Sequence, residues 1–392
     1  MKNRKKYISA FFILFSVFLS GCSGSQVENK TTTNIAKSPK NYTKNNPDEV
    51  KKKQCPSGFV LVPGNSLYET TDFCVMKYDA KCASISNPNQ PFQPDKNSAC
   101  SGMKDGKYEG VYKNNGVGCA CKNDKEVVSA PSGFPITFIP MSGNADDNAK
   151  AYCQNRGWHL ITNQEWMTIA RNIENIDANW CDRNGNNCGA YPGTPGKILA
   201  NGHNDGNNEP SASAGVPTGA LIAGNDNAPC FGTTTDGSNV CGGKGSQKRT
   251  LQLGNGEIIW DFAGNVWQWV DAVIARKDQP QSKTGSTFDS GWKWSDFTAG
   301  SLPSVIINNG NEETFGYNAF RPSNQDWNAN NGVGRIYHYN GINDKDNMQY
   351  GYIRGGNWRH GYDSGAFCVH LSPVPNKTNI DDVGFRCAVS PQ

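Results

Sequence analysis

Asp261-Phe262-Ala263-Gly264-Asn265-Val266-Trp267-Gln268-Trp269 is the stretch on which the reading of this chain turns. Strand signals lead into it from Glu257 to Trp260, and its aromatics continue to Trp269. Downstream, Ile353 to Val389 alternates short apolar pieces with Gly and Asn. It opens near Arg354-Gly355-Gly356-Asn357-Trp358 and ends in Val383-Gly384-Phe385-Arg386-Cys387. Upstream, Phe59-Val60-Leu61-Val62 before Pro63-Gly64 reads as a short buried strand ending in a turn, and Phe73 to Tyr78 as a second. Asn144 to Arg156 reads as a helix with Ala149, Tyr152 and Cys153 on one face and Gly157 as its cap. A second helix begins at Thr162, where Thr162 and Glu165 make a capping box and Trp166, Ile169, Ala170 and Ile173 recur at helical spacing. Residues 182–248 are rich in Gly, Asn, Ser and Pro and read as a long irregular stretch. With 43 Gly and 10 Trp in 392 residues, the chain is expected to be loop-rich and aromatic-cored rather than helical.

The N-terminus has a different character. Lys2, Arg4, Lys5 and Lys6 precede an apolar run from Phe11 to Leu19, which is shorter than the roughly 20 residues a membrane span needs. The run ends in Leu19-Ser20-Gly21-Cys22, the pattern of a lipoprotein signal, with Cys22 as the lipidated residue. Residues 1–21 are therefore expected to be a signal peptide. Residues 22–54, almost devoid of apolar side chains, are expected to form a lipidated flexible tether, and residues 55–392 the folded domain. Ser23, in place of a retaining aspartate, points to the outer membrane or cell surface. Two or more acyl chains make such an anchor stable. Without the four signal-peptide cations, 34 basic residues face 35 acids, so the formal charge falls from +3 to −1. That balance argues against nucleic acid as a partner, and Lys51-Lys52-Lys53 reads as a solvated boundary.

Export makes disulfides the default use of the 14 cysteines. Setting Cys22 aside leaves an odd number, so at least one thiol has no partner within the chain. Cys181/Cys188 and Cys230/Cys241 would each staple a Gly- and Asn-rich loop. Cys55, Cys74, Cys82, Cys100, Cys119 and Cys121 could form three bridges of open connectivity. Zinc at Cys119-Ala120-Cys121 is disfavoured by the spacing and by an oxidising compartment. No dinucleotide-binding or P-loop glycine pattern, metal-type His spacing or nucleophile elbow is visible, and no metal ligand set is assigned.

These motifs, in this order from Gly58-Phe59-Val60-Leu61-Val62-Pro63-Gly64 to Cys387, resemble the formylglycine-generating (sulfatase-modifying factor) family, which shares the C-type lectin-like fold. The resemblance implies an α+β fold, loop-rich and disulfide-stapled, with twisted antiparallel sheet and few helices. It also implies a disulfide between Cys153 and Cys387, a closure worth about 4–5 kcal/mol in the chain-entropy model. The family's copper chemistry does not transfer. Its catalytic members hold the metal between two cysteines just after the Gly-Gly-Ser-Trp motif, whereas residues 359–367 here contain none and Cys368 stands alone. No catalytic residue is assigned. The family's calcium motif is weakened by Gln268 in place of Glu, and Asn265 and Gln268 are expected to hold the loop by hydrogen bonds instead.

A closer resemblance is to the lipoprotein targets of diversity-generating retroelements, which carry a variable region at the C-terminus. Residues 353–388 fit that layout. Framework positions such as Gly355, Trp358 and Phe385 alternate there with scattered chemistry at Arg359, His360, Tyr362, Asp363, Ser364, Cys368, His370, Ser372 and Pro373. The resemblance makes these the expected contacts with an extracellular protein or glycan, with Trp327, Tyr337, His338 and Tyr339 extending the face. Cys368 is expected to be the spare thiol within it. The rival functions are an oxidoreductase of the formylglycine-generating or non-haem-iron type, which would need a His/carboxylate cluster, and a structural envelope lipoprotein.

Overall fold

The computed structural model describes residues 53–91, 103–104, 107–108, 121, 125–143, 148–183, 185–205, 219–233, 241, 247–280, 291–298, 301, 316–340, 346–377 and 382–392. Cys22, Cys100, Cys119, the signal peptide and nearly all of the expected tether lie outside them. The described chain is mostly sheet and loop with few helices.

The largest sheet has six strands in the order Trp292–Ser295, Ile336–Tyr339, Gly365–His370, Gln349–Gly355, Trp267–Ala275 and Val383–Phe385. Its pairings are antiparallel except for two: Ile336–Tyr339 beside Gly365–His370, and Trp267–Ala275 beside Val383–Phe385. A four-stranded antiparallel sheet joins Phe59–Val62, Phe73–Met76, Cys387–Val389 and His159–Leu160. The last strands of the chain therefore belong to different sheets, and Arg386 sits alone at the corner between them.

Helix α1 spans Ala149–Gln154, shorter than the 144–156 expected from periodicity. The Asn148 side chain accepts from the Ala151 N–H, so it caps the helix and sets its start. At the other end Gly157 has φ +73°. The Trp158 N–H bonds Cys153 O at 3.0 Å and the Gly157 N–H bonds Gln154 O at 2.9 Å, the Schellman pattern that needs a glycine there. Helix α2 spans Asn163–Glu174 behind the expected capping box. Its buried face drives Trp166 onto Phe262 with ring centroids 3.9 Å apart, and the Trp166 indole N–H donates to Ala366 O at 2.8 Å. Trp166, Trp180, Trp260, Trp267 and Trp269 are all fully buried, so the core is aromatic as its composition implied.

Disulfides join Cys55–Cys74, Cys82–Cys121, Cys153–Cys387, Cys181–Cys188 and Cys230–Cys241. Apart from the two-residue strand Ile198–Leu199, the described part of the 182–248 stretch is irregular, yet Asn201, His203, Asn204 and Asp205 are buried in it. This segment crosses the 261–269 loop at Gly202 and Gly264, both at positive φ. A β-carbon on Gly202 would lie 1.9 Å from Ala263 O, and one on Gly264 would lie 2.6 Å from His203 O. Backbone-to-backbone contact this close requires both glycines.

Candidate functional site

Asn357 organises the segment expected to bind ligand. Its amide NH2 donates to Asp382, which fixes the amide so that Oδ1 faces the other way. That oxygen accepts from the Arg359 backbone N–H at 3.0 Å and from Nδ1 of His360. Ser364 Oγ closes the loop onto Asn357 O at 3.2 Å, and the Gly361 N–H bonds Asn204 O at 2.8 Å. Gly356 cannot be replaced without movement, because a β-carbon would meet Ser364 Oγ at 2.2 Å. Residues 357–364 are thus a built loop whose turn, Gly361–Asp363, projects Tyr362 outward.

Of the nine side chains expected to contact ligand, Tyr362 is exposed. Arg359, His360, Asp363, His370 and Ser372 are half-buried. Ser364, Cys368 and Pro373 are buried, which corrects their assignment to the binding face. Ser364 is consumed by the Asn357 contact. Cys368, the free cysteine among the described residues, lies inside the core, in the buried cluster that also holds Trp267, Ile353 and Phe385. Burial pushes its thiol well above the ordinary range, so it is not a reactive surface group. Two of the expected extensions also fail. Trp327 packs on Trp180 at 4.7 Å between centroids, and His338 is buried between Ser295 Oγ and Pro280 O, each 2.9 Å from an imidazole nitrogen. That Ser295–His338 pair has hydrolase-like spacing but no access to solvent.

Tyr337 and Tyr339 are half-buried and lie in an aromatic strip whose other members sequence reasoning missed. Register pairs Trp292 with Tyr339, Trp294 with Tyr337, and Tyr337 with His370, so these rings share one side of the sheet. Trp292 and Tyr337 lie 5.9 Å apart and nearly parallel, and Tyr337 stacks on His370 at 4.3 Å. Tyr350 meets Trp292 edge-on at 5.2 Å. Towards the 357–364 loop, His360 and His370 each touch both Trp267 and Trp294, with centroids 5.2–5.9 Å apart. The only sequence-level signal was the period-two spacing in Trp292-Lys293-Trp294 and Tyr337-His338-Tyr339.

Burial, with Arg359 nearby, pushes the His360 imidazole down to about 4, and burial with His360 nearby pushes His370 to about 3. Both are neutral near pH 7. Each arginine at the rim has a carboxylate: Arg359 with Asp382 at 3.5 Å, Arg335 with Asp363 at 3.2 Å, and Arg276 with Asp346 at 3.0 Å.

A second polar centre lies under the 261–269 loop. Asn265 Oδ1 accepts from the Leu221 N–H at 2.8 Å, and Gln268 Oε1 accepts from Nε of Arg386. Arg249 grips Asp261 through two hydrogen bonds of 2.6 and 2.7 Å. Both amide oxygens of the calcium-type motif are thus engaged by N–H donors with a guanidinium beside them, unlike the oxygen cage that calcium takes. Among the described residues, no group of three or more His, Cys, Asp or Glu is placed to hold a metal ion. Two surface clefts lie away from residues 359–373. One, of about 450 Å³, is lined by Thr70, Asp72, His159, Thr162 and Glu165; the other, of about 580 Å³, by Arg171, Asn172, Asn175 and Ser323.

No family model matches the chain, and no curated protein matches it. Among solved structures it is similar to the Major Tropism Determinant U1 variant, at 12% identity and a TM-score of 0.30. It is similar also to the P3c variant, at 12% identity and 0.29. Each alignment covers 87% of this chain and 54% of the other, so the chain spans about half the length of those proteins.

Proposed function

We propose that the chain is a surface-displayed ligand-binding lipoprotein, anchored through Cys22 at the outer membrane or cell surface. On this reading it is a non-catalytic relative of the formylglycine-generating family with the C-type lectin-like fold, and residues 353–388 are a diversity-generating retroelement variable region. What supports the reading is one arrangement. A loop fixed by Asn357 and Ser364 carries Arg359, His360 and Tyr362 at the edge of a half-buried aromatic strip. Rigid support with adaptable side chains on top is what recognition surfaces use. The partner is an extracellular protein or glycan.

The test is to probe arrays of defined peptides and glycans with the full chain in detergent micelles. Binding to particular features, lost when Arg359 and Tyr362 are both replaced by alanine, is expected. Absence of any bound feature, or binding indifferent to that double substitution, would overturn the reading.

A further inference from the structure

The two imidazoles in the aromatic strip carry opposite hydrogen-bonding roles. Asn357 has its NH2 committed to Asp382, so the oxygen facing His360 Nδ1 is an acceptor and Nδ1 must carry the proton. His360 Nε2 is therefore a bare lone pair. For His370 the order is reversed. The Ser372 backbone N–H donates to His370 Nδ1 at 3.4 Å, and Ser372 Oγ lies 3.1 Å from the same nitrogen. A nitrogen that accepts from an amide has no proton, so His370 Nε2 carries it. One Nε2 is an acceptor and the other a donor.

Neither Nε2 has a hydrogen-bond partner among the described residues, and neither is a sealed orphan in the interior. Both rings lie against the same two indoles, Trp267 and Trp294, which are nearly parallel with centroids 6.5 Å apart. Beyond them the strip continues through Tyr337 to Trp292. An apolar aromatic surface therefore surrounds one free acceptor and one free donor, and the nearby cations already have carboxylate partners.

Ligand chemistry can be sorted against that pattern. A carboxylate or phosphate only accepts and leaves the His360 lone pair unmet, while an ammonium only donates and leaves the His370 N–H unmet. A trans peptide unit sends its N–H and C=O to opposite sides and cannot serve both imidazoles from one point. A hydroxyl both donates and accepts, and so does a pair of vicinal hydroxyls. The apolar C–H faces that accompany such hydroxyls in a pyranose suit the electron-rich faces and edges of indole and phenol.

We propose, resting on the ligand-binding reading above, that His360 and His370 form a subsite for hydroxyls of a neutral saccharide, with its ring packed on the Trp294–Tyr337–Trp292 strip. His360 accepts from the sugar and His370 donates to it. Asn357 and Ser372 are positioning residues that set the two tautomers.

The test uses the full chain in detergent micelles, with neutral methyl glycosides and their linear oligomers as probes, read by saturation-transfer NMR and calorimetry. At least one neutral oligosaccharide is expected to bind. His360→Ala and His370→Phe should each weaken it at least tenfold, and Trp292→Ala, on the outermost strand, severalfold. Each variant is first checked for an unchanged Tm and for retention of the Cys153–Cys387 disulfide. Should the histidine variants fail that check, Trp292→Ala carries the test. Saccharide binding indifferent to the folded variants overturns the subsite. Binding of peptide features but of no neutral saccharide overturns the saccharide and leaves the ligand-binding reading standing. Binding of neither removes both.

Discussion

Arg386 donates through Nε to Gln268 Oε1 and through Nη2 to Asp79 at 2.9 Å, and all three side chains are buried. The guanidinium also donates to the carbonyls of Met76, Trp260 and Asp261 at 2.8–3.1 Å. It therefore ties the six-stranded sheet, through Gln268, to the four-stranded sheet, through Met76, at the corner where the chain passes from one to the other. Gln268 in turn donates to Asp261 O at 2.7 Å. A glutamate there could accept from Arg386 but could not make that second bond.

From this follows a pair of stability predictions. Arg386→Ala strands a buried Asp79 carboxylate and should cost about 3–5 kcal/mol. Gln268→Glu leaves the Asp261 carbonyl without its donor and should cost about 1–3 kcal/mol. Urea unfolding at pH 7 measures both, and a loss below about 1 kcal/mol for Arg386→Ala would sink the corner argument.

His338 yields a pH prediction. It is fully buried, donates from Nδ1 to Pro280 O and accepts at Nε2 from Ser295, and burial pushes its pKa down to about 4. Lys293 is the charged neighbour that adds to the shift. The folded state keeps this ring neutral while the unfolded chain protonates it near 6.5. Its contribution to stability is thus full above about pH 6.5 and is lost as pH falls towards 4. A single proton taken up by the unfolded state gives a slope of about 1.4 kcal/mol per pH unit. His338→Gln should lower the slope of unfolding free energy against pH between 6.5 and 4 by about that amount. Equal slopes in the two proteins would show that His338 is protonated in the fold.

How much of this was legible in the sequence depends on distance along the chain. The Thr162–Glu165 capping box, Gly157 at the end of α1, the Phe59–Val62 strand and the Cys181–Cys188 and Cys230–Cys241 staples are local, and residue type and spacing suffice for them. The Cys153–Cys387 bridge came from resemblance alone. The aromatic strip was not legible, because Trp292, Tyr337, His370 and Trp267 are neighbours only through sheet pairing, including the parallel contact of Ile336–Tyr339 with Gly365–His370. Alternation in that last strand puts Cys368 and His370 on the same side, yet one is sealed by the core and the other reaches the surface. Period-two reasoning assigns a side but not what covers it. In the same way nothing in the local sequence marks Asp79, Lys81, Arg249 and Asp261 as buried charges, and only the fold buries them.

Cys368 offers a separate check of burial. Its thiol is enclosed and its pKa raised, so the thiolate that reacts with iodoacetamide is scarce on two counts. Peptide mapping after alkylation should find Cys368 unmodified in the native chain and fully modified in denaturant. Rapid native labelling at this position would mean that the Gly365–His370 strand opens, and would return Cys368 to the accessible face.

The sharpest contrast lies within the loop itself. Asn357 is fully buried and holds Asp382, the Arg359 N–H and His360 at once, so Asn357→Ala should cost about 1–3 kcal/mol through the partners it leaves unmet. Two residues away, Arg359 extends over Trp358 with its guanidinium carbon 4.3 Å from the ring centroid and a carboxylate 3.5 Å distant, and Tyr362 is 41% exposed. Replacing exposed Tyr362 with Asn, Ser or Ala should change stability by no more than about 0.5 kcal/mol, because exposed surface positions rarely matter more. Replacing Arg359, whose Asp382 partner is shared with Asn357, should change it by no more than about 1 kcal/mol. A segment suited to variation needs that division, in which fixed positions carry the fold and the remainder are free to change. Thermal unfolding of a small set of variants at 357, 359 and 362 measures it directly. If substitutions at 359 and 362 proved as costly as Asn357→Ala, the loop would be a single structural unit, and variation for binding would have no room within it.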